Sequence, residues 1–100
     1  MIPVGTTPTH EFAVTEDFTG ATKCFITYQQ NGQTVLEKDI NDVTITATKI
    51  STTLTQEDTL GFAELVPVRM QIRIKMPDGS VHKSEVIKTT TDELLKEGVI

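Results

Sequence analysis

The sequence predicts one all-β domain: an immunoglobulin-like antiparallel sandwich of about seven strands. Three observations lead there. From Val66 to Met76, the apolar Val66, Val68, Met70, Ile72, Ile74 and Met76 alternate with Pro67, Arg69, Gln71, Arg73 and Lys75, the period of a half-buried strand. Two strong turn signals, Asn31-Gly32 and Pro77-Asp78-Gly79, each stand between segments of strand character, as hairpins require. Abundant Thr, Val and Ile add the β-branched content that favours strands over helices.

Taken in order, His10 to Val14 supplies a short edge strand with Phe12 and Val14 inward, and the preceding Pro8 suits an edge. Lys23 to Gln30 places Cys24, Ile26 and Tyr28 on one face, and Gln33 to Asp39 returns after the Asn31-Gly32 turn. Val43, Ile45 and Ala47 alternate with threonines, but Ile50 and Leu54 fall out of phase, which predicts a bulge or break near Lys49. Thr55 ahead of Glu57 and Asp58 reads as a capped single helical turn crossing between sheets. Pro67 belongs at the start of its strand or on an edge, and Ser80 to Lys88 folds back as the hairpin partner. At the carboxyl end, Thr90 stands three residues before Glu93 and Gly98 follows. That pattern predicts a short terminal helix docked through Leu94 and Leu95, or else an extended Leu94–Ile100 reaching into a partner. The Cys…Trp…Cys core of antibody domains is lacking. A small, partly open barrel is the alternative architecture.

Residues 1–100 suit a single domain with one shared core. No apolar run is long enough to span a bilayer, and Met1 to Thr9 lacks the basic cluster and apolar stretch of a signal peptide. A soluble chain made inside the cell, without a membrane partner, is the expectation. A net charge of -5 and a pI near 4.9 argue against nucleic acid, whose affinity rests on cationic contacts. Along the chain the nine Lys and Arg are thinly spread, densest at Arg69, Arg73 and Lys75.

Chemistry-bearing residues are few. Cys24 has no sequence partner that would lower its thiol pKa, and in an alternating strand it reads as a small core hydrophobe. His10 and His82 fall on separate strands with no positioned partner. The acidic pairs Glu16-Asp17, Glu57-Asp58 and Asp92-Glu93 are explained in two cases by helix starts. Asp39, Asn41 and Asp42 lack the glycine and closing acid of a calcium loop, and the six glycines are isolated and form no phosphate cradle. The expectation is therefore a non-enzyme with no catalytic, cofactor-binding or metal-binding residues. Candidate partner-binding residues are the row Arg69, Gln71, Arg73 and Lys75, which could meet an acidic patch, and the apolar chain ends Ile2, Val4, Val99 and Ile100, which would profit from docking on a neighbour. The plainer reading of the row is a solvated face that guards against aggregation.

Gly5-Thr6-Thr7-Pro8-Thr9-His10 with Phe12, Ile26-Thr27-Tyr28 with Val35-Leu36, Leu54 to Thr59 with Phe62, and Val68 to Ile74 with Asp78-Gly79 carry a likeness over nearly the whole chain. In these segments it resembles small proteins of about this length encoded in tail-gene regions of phages and prophages of gut Gram-positive bacteria. The resemblance implies a genomic place among tail genes; together with the lack of any catalytic pattern, the expectation is a non-enzymatic virion structural protein, associated with the tail or baseplate and made in the bacterial cytoplasm. Its partners would be other virion proteins or further copies of itself, joined through strand edges or termini. No active-site residues carry over. Two alternatives stand beside it: a carbohydrate- or receptor-binding module, disfavoured by the absence of Trp and the single Tyr, and a small host-takeover protein or inhibitor.

Overall fold

Alternation becomes strand structure in a computed structural model that describes all 100 residues. The strands are β1 (Thr9–Ala13), β2 (Lys23–Gln30), β3 (Gln33–Lys38), β4 (Val43–Ile45), β5 (Lys49–Thr53), β6 (Pro67–Lys75), β7 (Val81–Lys83) and β8 (Ile87–Thr90), with a short helix, α1 (Gln56–Leu60), between β5 and β6. The smaller sheet has the order β1-β5-β4, and the larger runs β3-β2-β6-β7 with β8 also pairing β6. All of these pairings are antiparallel. Lettered in the immunoglobulin manner, β1 to β6 are B, C, C′, D, E and F, and β7 with β8 make up G.

Eight strands appear where about seven are expected because the last one is broken. Arg73 pairs with Lys83 and Met70 with Ile87, so Ser84 to Val86 place three residues opposite Gln71 and Ile72. That is a bulge. Ser84 secures it: its N–H donates to the Ile72 carbonyl at 2.9 Å, and its Oγ accepts from the Ile72 N–H at 3.0 Å.

The two hairpin turns form where expected. Asn31 and Gly32 both take positive φ, 52° and 76°, the pair of values a two-residue hairpin of the twisted kind needs. Pro67 opens β6, where its missing N–H costs little. The phase break near Lys49 is a complete reversal. Thr46 N–H donates to Lys49 O at 2.9 Å, and β4 folds back on β5. Thr55 and Asp58 cap α1 reciprocally, with the Thr55 hydroxyl accepting from the Asp58 N–H and the Asp58 carboxylate accepting from the Thr55 N–H.

Between the sheets lie Cys24, Ile26 and Tyr28 of β2, Val68, Met70, Ile72 and Ile74 of β6, Ile50 of β5, and Leu54, Phe62 and Ile2. Every buried side-chain nitrogen and oxygen has a hydrogen-bond partner. The Gln30 amide clamps Ala63 from both sides, accepting from its N–H at 2.8 Å and donating to its carbonyl at 2.9 Å.

Two expectations for the chain ends need correction. Ile2 and Val4 are 1% and 4% exposed and dock on this same molecule, so they offer nothing to a partner. Ile2 forms a parallel bridge with Thr91, and the Val4 N–H donates to Asp92 Oδ1 at 2.8 Å. The same contacts displace the terminal helix, and no helix forms beyond residue 90. Thr91 is buried, its hydroxyl donating to Ala63 O at 2.6 Å, and the Asp92 carboxylate is already engaged. Leu94 lies over Gly5, whose φ is +79°; a Cβ at that position would come within 2.8 Å of Leu94 Cδ2. Ile100 exchanges two hydrogen bonds with the Gln56 side chain, while the Val99 and Ile100 side chains stay exposed.

Candidate partner-binding face

In an antiparallel pair, directly opposed residues point to the same side of the sheet. Because Val68, Met70, Ile72 and Ile74 face the core, Arg69, Gln71, Arg73 and Lys75 face outward as their spacing requires. Strand pairing then adds residues that sequence order keeps apart. Lys23 of β2 stands opposite Lys75 and Phe25 opposite Arg73. On the other side, Lys83 of β7 is opposite Arg73 and Lys88 of β8 is opposite Arg69.

Six of the chain's nine cations, Lys23, Arg69, Arg73, Lys75, Lys83 and Lys88, thus share one face and are exposed. None of the six has a carboxylate within ion-pair distance. The ion pairs are Lys38 with Asp58 at 2.6 Å and Lys49 with Glu11 at 3.1 Å. Glu37 of β3, which accepts from the Thr27 hydroxyl at 3.2 Å, lies at one margin of the face. Glu85 lies at the other, in the bulge. Among the cations, Phe25 is 36% exposed and Val81 and Val86 are also open to solvent. Gln71 is fixed by donating to the Ser84 carbonyl at 3.0 Å.

Of the predicted partner residues, the β6 row is therefore assembled, with Arg69, Arg73 and Lys75 exposed and Gln71 half-buried, and Val99 and Ile100 are exposed on the tail. Lys23, Lys83, Lys88 and Phe25 were missed. Alternation assigns each to a face of its own strand, but only pairing register places that face beside β6.

Cys24 is fully buried beneath the opposite side of the sheet. Burial pushes its thiol pKa up to about 11, so it stays protonated and poorly nucleophilic at neutral pH. His10 Nδ1 lies 2.9 Å from the Tyr28 hydroxyl. Its pKa is lowered, chiefly by burial and further by the positive amino terminus. Burial, reinforced by the nearby Asp58 charge, pushes the Tyr28 phenol upward. The Asp58 carboxyl is pulled in two directions: burial is the largest single influence and raises its pKa, yet the hydrogen bonds from Lys38 and Thr55 together hold it below the ordinary value. His82 packs against Phe18, ring centroids 5.4 Å apart, with Nε2 3.3 Å from Ser80 Oγ.

Between β1 and the broken edge strand a cleft of about 320 Å³ is lined by Phe12, Val14, Phe18, Ile50, Ile72 and His82 among others. Its wall is largely apolar. No three His, Cys, Asp or Glu side chains converge on a common point. No helix is long and apolar enough to cross a membrane. No protein-family model, curated protein or solved structure matches the chain.

Proposed function

We propose that the protein is a non-enzymatic structural component of a phage virion, a tail- or baseplate-associated module that docks onto a neighbouring virion protein. The observation that carries this reading is the outward row Arg69, Arg73 and Lys75, exposed and without an acidic partner in its own chain. The resemblance to tail-region proteins, over nearly the whole chain, supplies the context. A small rigid sandwich gains from repetition in a virion, because modest contacts on each copy add up when the copies are held together. The exposed Val99 and Ile100 offer a secondary contact.

Mass spectrometry of purified virions after lysine cross-linking tests the reading. The expected result is this chain in the particle, with cross-links to another virion protein concentrated at Lys75 and its outer-face neighbours. Absence from the particle, or cross-links only on the opposite sheet, overturns it.

A further inference from the structure

We propose that the outer face of the larger sheet binds an extended acidic segment of a partner protein, seated along β6 between three pairs of facing cations. This deepens the docking reading above and rests on it.

The pairs are Lys75 with Lys23, Arg73 with Lys83, and Arg69 with Lys88. Directly opposed residues hold their Cβ atoms about 4.5–5.5 Å apart, and like charges so placed destabilise a sheet. One such pair is unremarkable. Three on one strand, in a chain with fourteen acids and nine cations, form a concentrated surplus of positive charge that the fold leaves unneutralised. An anion lying between the members of each pair converts mutual repulsion into charge-assisted hydrogen bonding. Arginine contributes to two of the three pairs, and its planar fork matches a carboxylate in two-point fashion.

Geometry favours an extended chain as the source of those anions. Outward residues on β6 recur about every 6.7 Å, and Arg69 to Lys75 span about 20 Å. A peptide in strand conformation presents alternate side chains at the same repeat, so a sequence acidic at every second position keeps step with the row. Phe25, opposite Arg73, and Val81, opposite Lys75, give its stem atoms apolar contact. Single-stranded nucleic acid shares the charge but is the poorer fit. Its sequence-tolerant binding relies on aromatic platforms for successive bases, and Phe25 is the single aromatic among the outward residues of β2 and β6.

Fluorescence anisotropy with the full chain tests the proposal. The probe is a labelled peptide of about twelve residues alternating Glu and Thr, long enough to cover the row. The same peptide with Gln for Glu and a thymidine oligonucleotide of equal charge serve as comparisons. The acidic peptide is expected to bind, to weaken as salt rises, and to lose at least about tenfold in affinity with Lys83→Glu or Lys23→Glu, since each removes a contact and adds a repulsion. Each of these variants is expected to melt about 2–4 °C higher than the parent, because an opposed cation pair becomes an ion pair. The higher melting point also shows that lost binding is not lost folding.

No binding of the Glu peptide, equal binding of the Gln peptide, or tighter binding of the oligonucleotide overturns the proposal. So does a pair of variants that melt no higher than the parent. Virion cross-links that map to this face while the peptide fails to bind would sink the acidic segment alone. Cross-links elsewhere would sink the docking face as well.

Discussion

Lys38 and Lys83 occupy the two outer strands of the same sheet, yet the fold treats their charges in opposite ways. Lys38 turns toward the interior, where its ammonium meets Asp58 at 2.6 Å with both side chains largely covered. Lys83 turns outward, opposite Arg73, with no carboxylate in reach. The interior cannot hold a charge without neutralising it, because desolvation is costly and must be offset by a partner. Water tolerates an unpaired charge at the surface, so the surface can keep one in reserve for binding. Inside the sandwich, charged groups are matched within the chain; on the outer face of β6, Arg69, Arg73 and Lys75 have no carboxylate within ion-pair distance.

The largest perturbation of that contrast comes from neighbours on β6. Ile72→Ala opens a hole in the buried layer and is expected to cost about 2–5 kcal/mol. Arg73→Ala, one residue further and facing solvent, is expected to stay within about 0.5 kcal/mol of the parent. Urea unfolding of the two variants measures the difference directly. Equal losses would mean that the outer face is structural.

Next in size is the removal of Lys38. Lys38→Met leaves the Asp58 carboxylate covered and unmatched, at about 1–3 kcal/mol. Adding Asp58→Asn should restore part of that loss in a double-mutant cycle. The Asp58 pKa lies below its ordinary value in the folded state, so its contribution is present at neutral pH and is lost as pH falls through the folded value. Acid unfolding followed by circular dichroism should therefore begin at higher pH in Lys38→Met.

The His10–Tyr28 contact sharpens the comparison at milder acidity. Folding lowers the pKa of His10 from 6.5, so below that value the unfolded chain binds more protons than the folded one. Stability should rise with pH up to about neutrality and fall as the solution is acidified toward the folded pKa. In His10→Gln the thermal melting point should depend less on pH between about 5 and 7. An unchanged dependence would assign the effect to other groups.

Cys24 gives the smallest effect. With its thiol at about 11 and no exposed surface, it should react with a thiol reagent at pH 7 only as fast as the protein opens. Immediate modification of the native protein would place it outside the core.

Much of the fold was legible because local chemistry decided it. The Asn31-Gly32 turn needs two positive φ values and has residues that accept them. The Thr55 cap and Asp58 form a reciprocal hydrogen-bonded pair within one helical turn. Strand β6 shows its two faces through strict alternation. The carboxyl end misled for the same reason: Thr90 and Glu93 have a cap's spacing, but Thr91 is held by Ala63 and Ile2, both remote in sequence. Tertiary pairing there outweighed a local preference worth about 1 kcal/mol.

The chain alone determined that its strands have one apolar and one polar side, where its hairpins turn, and that Arg69, Gln71, Arg73 and Lys75 project together. These follow from a side-chain period of two and from backbone angles set residue by residue. Only the tertiary structure decided which strands became neighbours. It brought Lys23, Lys83 and Lys88 against β6 and folded Ile2 and Val4 into the core. Sequence order cannot express those placements, because register between strands is chosen by the burial of the whole apolar side at once.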